Sequence, residues 1–327
     1  MKHYMKRIAV LLVAALLIGY LSPAAREARA ETTMVGDFEL EGTTLVKYHG
    51  TAENVKVPDE VTAIANYAFE DNTTMKTLYL GKNVTEIGYR IVSGCTALTT
   101  ISLPEGDTEV EVSSGAFSRA ENLVTVEVDA GVRSINREFM FLETLQNFVV
   151  DEDNVRYYSE DGVLFYREST ENYTLLRMPT SSTITNYVMS GDSRVKTIGD
   201  NAFSYCKNLT EITISSYIEE IQAEAFQECD SLTSVTLGKN VKTISGYGAF
   251  SYCDNLTSIT LSEALSGEDL GWSIFGQSKK LTTVYVPEGC TYIPRELVEH
   301  PSVTNFAVSE GNTTYFSADG VLYGYDE

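Results

Sequence analysis

Three lines within residues 201–261 carry nearly the same text: NAFSYCKNLTEITI (201–214), AEAFQECDSLTSVTL (223–237) and GAFSYCDNLTSITL (248–261). Their phenylalanines, Phe203, Phe226 and Phe250, fall 23 and 24 residues apart. Each is followed at +3 by a cysteine (Cys206, Cys229, Cys253), at +6 by a leucine (Leu209, Leu232, Leu256), and at +9 and +11 by aliphatic residues. A fixed period of this length cannot fold as isolated units. Each copy has an apolar face that only the next copy can cover.

Outward from this stretch the register extends in both directions. The anchor position reads Phe69, Val92, Phe117, Phe139, Phe203, Phe226, Phe250, Phe275 and Leu297. At +9 stand Leu78, Ile101, Val126, Phe148, Ile212, Val235, Ile259, Val284 and Phe306, and the +6 and +11 columns are equally apolar. The +9 and +11 residues share one face of a strand by its period of two. The pattern predicts an α/β repeat solenoid of leucine-rich repeats, with one short parallel β-strand per turn, mostly β and irregular with little helix. Nine rungs at ~4.8 Å make a sheet roughly 40–45 Å long.

The ends and the middle depart from the period. Lys2, Lys6 and Arg7 precede an apolar run from Ile8 to Leu21, and Ala28-Arg29-Ala30 fits a small-x-small site. Residues 1–30 therefore read as a signal peptide cleaved after Ala30, with no transmembrane segment in the mature chain. Residues 31–59 read as an N-terminal cap hairpin bent at Gly42-Thr43, covering the first rung's open face. Residues 60–150 form a first repeat block. Residues 151–194 form a hairpin insertion or junction, with Gly162–Tyr166 against Tyr173–Met178. Residues 195–311 form a second block. In residues 312–327, NTTYFSADGVLYGYDE echoes NVRYYSEDGVLFYRES (154–169) but stops after one strand. That ending predicts a lone edge strand or a truncated module.

The A-F-x-x-C-x-x-L-x-x-I-x-L text, the Ile-Gly pairs at 87–88 and 198–199, and the D-G-V-L-[FY] module (161–165, 319–323) resemble the BspA-type leucine-rich-repeat family over residues 36–327. The resemblance implies a right-handed solenoid and a secreted or surface-displayed bacterial protein. It also implies binding to host matrix or to other cells. The asparagine of the general repeat stands only at Asn83 and Asn240, so the turn there must be built differently from rung to rung. No LPxTG-like motif or apolar C-terminal tail is present in the sequence, which leaves surface retention without a visible anchor.

Catalytic chemistry has little to stand on. Beyond residue 30 the only histidines are His49 and His300, and no G-x-S-x-G, H-E-x-x-H or phosphate-binding glycine loop occurs. The sequence predicts no enzyme, no cofactor and no metal. Asp151-Glu152-Asp153-Asn154 offers oxygens for Ca²⁺ but lacks the ligand spacing of an EF-hand, and reads as a solvated loop. Cysteines 95, 206, 229 and 253 share the +3 column, and Cys290 sits in the apolar +15 column, so small buried side chains account for all five. Rung spacing also permits a disulfide such as Cys206–Cys229 in an oxidising compartment.

Without residues 1–30 the chain has 19 Lys/Arg against 45 Asp/Glu, a net charge near −26. That argues against nucleic acid and anionic lipid as partners, because both require Lys/Arg. The outward positions +7, +8 and +10 make the candidate binding face; 13 of these 27 are threonine, so a T-rich exposed strand is expected from propensity alone. Tyr79, Glu127, Thr213, Thr236, Thr260, Tyr285 and Asn305 are the candidate contacts on it. The sequence thus predicts a non-catalytic secreted or cell-surface protein that adheres to a protein or glycan on a host or neighbouring cell. The alternative is a non-catalytic targeting module of a larger secreted enzyme.

Overall fold

The computed structural model describes residues 32–105, 110–189, 191–267 and 270–325. The proposed signal segment and its cleavage point at Ala30 lie outside the described residues. Among the described residues the chain is a β-solenoid whose strands stack in parallel columns, with two single-turn helices, α1 (Arg137–Met140) and α2 (Arg295–Val298).

The main column is the one expected from the +9 positions, and it carries two strands more than the nine anchors. Asn54–Lys56, Thr77–Tyr79, Thr100–Ser102, Thr125–Val128 and Asn147–Val150 form one parallel sheet. Asn186–Val188, Glu211–Thr213, Ser234–Thr236, Ser258–Thr260, Thr283–Val286 and Asn305–Val308 form another. The extra strands, Asn54–Lys56 and Asn186–Val188, have no anchor phenylalanine before them and carry the two stacks back beyond residues 60 and 195, where the repeat text begins. A second column of very short strands closes many turns on the other side. It runs through Ala63–Ile64, Glu86–Ile87 and Glu111–Val112, and again through Val195–Ile198, Glu220–Ile221 and Thr243–Ile244.

Each block starts from an antiparallel meander. Thr32–Val35, Phe38–Glu41 and Thr44–Tyr48 pair in sequence, and the last of them continues in parallel into Ala63–Ile64. Between the blocks, Tyr157–Glu160, Val163–Arg167 and Tyr173–Arg177 repeat this arrangement and hand on to Val195–Ile198. The terminal module differs from the single strand expected for it. Tyr315–Ala318 pairs with Val321–Gly324, so it is a two-stranded hairpin. Tyr315–Ala318 and its inner copy Tyr157–Glu160 are first strands to which the sequence pattern assigns nothing, because flanking polar residues mask their alternation.

Packing follows the columns. Phe203, Phe226, Phe250 and Phe275 are fully buried. Their rings stack with centroids 4.7, 4.8 and 5.5 Å apart and interplanar angles of 10°, 6° and 7°. Offset stacked rings add ~0.5–1.5 kcal/mol per pair beyond area burial. The +3 column has a second role besides filling space. The Cys95, Cys229 and Cys253 thiols and the Ser278 hydroxyl donate to the carbonyl oxygens of Phe69, Phe203, Phe226 and Phe250, each one turn earlier, at 3.0, 3.0, 3.1 and 2.7 Å. The backbone that turns around each anchor would otherwise bury an unpaired carbonyl. All five cysteines are unbridged, so the Cys206–Cys229 pairing is not formed.

The turn asparagines act the same way. Asn83 and Asn240 donate to Asp59 O and Ser216 O at 2.7 and 2.8 Å, and Asn122, Asn208 and Asn255 reach back to the previous turn from the +5 position. The anchor itself is flanked by left-handed residues at −2 and +2. Asn201 and Tyr205, Glu224 and Glu228, and Ser273 and Gln277 have φ between 55° and 66°. Few of these positions are glycine, although each non-glycine residue there costs ~1–2 kcal/mol.

Candidate functional site

The strand face is built by register. In the first block Lys56, Tyr79, Ser102, Glu127 and Val149 are directly paired neighbours across five strands. In the second block Val188, Thr213, Thr236, Thr260, Tyr285 and Ala307 form the matching ladder across six. Inward neighbours such as Ile212, Val235 and Ile259 are buried, which turns this ladder to the surface.

The predicted residues separate into two groups. Thr213, Thr236, Thr260 and Tyr285 are consecutive, spanning ~14 Å at the strand spacing. Thr213, Thr236 and Tyr285 are exposed and Thr260 is half-buried. Among the described residues their hydroxyls have no protein partner. Tyr79 and Glu127 lie in the other sheet, two rungs apart, with buried Ser102 between them. Ser102 Oγ donates to Asp129 at 3.1 Å. Partial burial, and secondarily the Asp129 charge, raise the Glu127 carboxyl above the usual carboxylate range. Asn305 belongs to the neighbouring +8 column and lies against the terminal hairpin, where a Cβ on Gly320 would come within 3.1 Å of its Oδ1.

The +7 threonines have a different task. Thr210, Thr233, Thr257 and Thr282 donate through Oγ1 to the carbonyls of Thr185, Thr210, Thr233 and Thr257, at 2.8, 2.9, 3.0 and 3.3 Å. This hydroxyl ladder joins turns at the sheet's rim, so those side chains are already committed to stacking. The sequence shows the threonines but not which carbonyl each one meets.

Two features of the surface escaped the sequence reading. Val149 and Val188 extend the face as exposed apolar positions, at 51% and 68%. On the opposite, anchor side Tyr205 and Tyr252 are exposed between a buried Phe-Ser pair and a buried Cys, and Trp272 packs against Tyr247 in a tilted arrangement with ring centroids 4.6 Å apart. The signal was in the F-S-Y-C text itself, since a tyrosine amid buried residues at +2 must leave the stack.

Nucleophilic chemistry is disfavoured by burial. The Cys206 and Cys253 thiols are both pushed up to about 12 and Cys95 to about 11 by desolvation, and Cys229 is raised well above its ordinary value. A thiol so held is a poor nucleophile at neutral pH. Among the described residues no three His, Cys, Asp or Glu are grouped to hold a metal ion. Asn154, which ended the acidic stretch, is buried. Its amide donates to Asp129 O and Val132 O, and its Oδ1 accepts from the Arg156 and Tyr157 amides.

A stack of parallel strands with a leucine, aliphatic and phenylalanine column per turn defines a leucine-rich-repeat solenoid. The sequence model of the BspA type leucine rich repeat region matches in six copies, over residues 45–162 and 180–314. The chain belongs to that family. Its fold is similar to a leucine-rich-repeat protein from Eubacterium ventriosum, at 20% identity over 82% of this chain and 79% of that one, with a TM-score of 0.53. It is also similar to the pneumococcal vaccine antigen PcpA, at 15% identity over 86% and 78% of the two chains, with a TM-score of 0.53. A leucine rich cell surface protein from Faecalibacterium prausnitzii aligns at 18% identity over 85% and 95%, with a TM-score of 0.47. No curated protein sequence matches significantly. Among the described residues no helix is long and apolar enough to cross a membrane.

Proposed function

We propose that the protein is a non-catalytic, exported bacterial adhesin that binds a macromolecular partner through the strand face of its second block. The observation that carries this reading is the unbroken ladder Val188, Thr213, Thr236, Thr260 and Tyr285. It offers methyls, free hydroxyls and one exposed aromatic ring on a rigid sheet. Such a surface suits a protein or glycan ligand, since aromatic and hydroxyl side chains contribute contact area at low entropic cost. The basic-apolar N-terminus supports export with cleavage after Ala30, followed by release or display at the cell surface. The partner is then a protein or glycan on a host or neighbouring cell, and nucleic acid is disfavoured by the acidic balance.

The test is binding of the mature chain to matrix-protein and glycan arrays, repeated with Tyr285→Ala and Thr236→Lys. Saturable binding reduced at least tenfold by either substitution, with circular dichroism unchanged, is the expected result. Absence of saturable binding across the arrays, or binding that neither variant alters, would refute the assignment to this face.

A further inference from the structure

We infer that the outer edge of the terminal hairpin, Val321–Tyr325, is an acceptor site for an extended peptide strand with the pattern of Tyr173–Arg177. The reasoning starts from a duplication within the chain. Residues of the last rung and its hairpin reproduce those of the inner junction 158 positions earlier. Asn312 donates to Pro287 O and Cys290 O and accepts from the Thr314 and Tyr315 amides, as Asn154 does from the equivalent positions. The Val308 amide meets Ser317 Oγ as Val150 meets Ser159 Oγ. Phe306 N donates to Gly320 O as Phe148 N does to Gly162 O. Both hairpins turn through Asp-Gly with positive φ at each residue, 52° and 77° at the junction and 52° and 81° at the terminus. That is a type I′ loop.

The two copies differ in what lies on the free edge. At the junction, Val163–Arg167 carries Tyr173–Arg177 as an antiparallel neighbour, with Leu164 opposite Arg177 and Tyr166 opposite Thr174. Val163, Leu164 and Phe165 are consequently buried. At the terminus no strand among the described residues covers this edge, and Val321, Tyr323 and Tyr325 are 53%, 44% and 57% exposed. In a two-residue hairpin the loop-flanking pair bonds inward, so Leu322 and Gly324 direct their backbone groups outward. Their counterparts, Leu164 and Tyr166, are the residues that meet the added strand. The terminal edge therefore presents the same pairing pattern to an added strand.

Charge specifies the occupant further. At the junction Arg177 lies over Phe141 and donates to Met140 O. The counterparts 158 positions later are Glu299 and Val298. A strand with arginine at that position meets a carboxylate there, whose partner among the described residues is exposed Arg295 at 2.7 Å. A second copy fits less well. Its own edge strand, Val321–Gly324, carries no arginine to meet Glu299.

The probe is a fluorescein-labelled peptide of residues 171–178, ENYTLLRM, titrated into the mature chain and read by anisotropy. Saturable binding is expected, with slowed amide exchange at Leu322 and Gly324. Gly324→Pro should weaken it at least tenfold. Replacing the peptide's arginine by leucine should weaken it about fivefold, the equivalent of an exposed ion pair. Should Gly324→Pro disturb folding, a peptide N-methylated at its Thr174 and Arg177 positions makes the same test, because the added strand needs those amides. No saturable binding, or binding indifferent to both changes, overturns the proposal. Concentration-dependent dimerisation without peptide binding also overturns it, and gives the edge to a second copy. Tyr285→Ala should leave peptide binding intact, which separates this site from the strand face.

Discussion

Arg177 is the most consequential side chain outside the columns, and its replacement tests how the two blocks are joined. Its side chain is 1% exposed, yet among the described residues no carboxylate pairs with it. Instead all five guanidinium N–H groups are used. Nε donates to Met140 O at 3.2 Å, Nη1 to Asn201 O and to Ser204 Oγ at 3.0 Å, and Nη2 to Thr180 Oγ1 and Ser204 O at 2.9 and 3.0 Å. The plane lies 4.2 Å from the Phe141 ring centroid. Burial lowers its pKa, but a guanidinium remains charged at neutral pH. Met140 and Phe141 belong to the first block, Asn201 and Ser204 to the second, so this one group bridges the interruption of the repeat. Arg177→Ala leaves the Met140 and Ser204 carbonyls without a donor, while Asn201 O keeps the Ser204 amide and hydroxyl, and it opens a cavity beside Phe141. The expected loss is ~3–5 kcal/mol, from unmet buried acceptors and truncated packing together. Arg177→Lys keeps the charge but supplies only three donors from a point, so ~2–3 kcal/mol should be lost.

Urea unfolding should be followed by far-ultraviolet circular dichroism, which reports both blocks, and by fluorescence of Trp272, the single tryptophan, which reports the second. In a stack held by nearest-neighbour contacts, weakening one interface uncouples its two sides. The wild-type transitions should coincide and those of Arg177→Ala should separate. A midpoint shift worth less than ~1 kcal/mol, or coincident transitions in the variant, would show that the junction does not depend on this fork.

Three further outcomes follow from the packing. In the folded protein at pH 8, iodoacetamide should leave Cys206, Cys229 and Cys253 unmodified by mass spectrometry and label them fully in denaturant; rapid native labelling would contradict their burial. Glu127 has a folded pKa above its unfolded value, so the folded state holds its proton more tightly. Its contribution is greatest at low pH and declines as pH rises through the interval between the two values. Glu127→Gln should therefore raise the urea midpoint at pH 7 relative to wild type, with the difference disappearing in acid. Gln277 has φ of 66°. Gln277→Gly should stabilise by up to ~1 kcal/mol, as relief of left-handed strain outweighs unfolded-chain entropy, while Gln277→Val should destabilise by at least ~1 kcal/mol; equal midpoints would refute the strain.

By itself the sequence determined the class of fold, its period and the contents of its interior. Those positions are constrained one at a time by apolarity, so Phe226, Leu232 and Val235 could be assigned inward from spacing alone, and burial agrees for each. The outward ladder through Thr213, Thr236 and Thr260 was legible for the same reason, as the complement of the inward one. Tertiary structure decided what the polar side chains do, because their partners are backbone groups a full turn away. The cysteine column, which spacing explained as filler, is a row of donors to the anchor carbonyls. Most +7 threonines prove to be ties between turns, and Arg177 prove to be a junction pin. The terminal hairpin shows the same limit. Its sequence repeats that of the junction, but only the added strand at Tyr173–Arg177 shows what its open edge is shaped to accept.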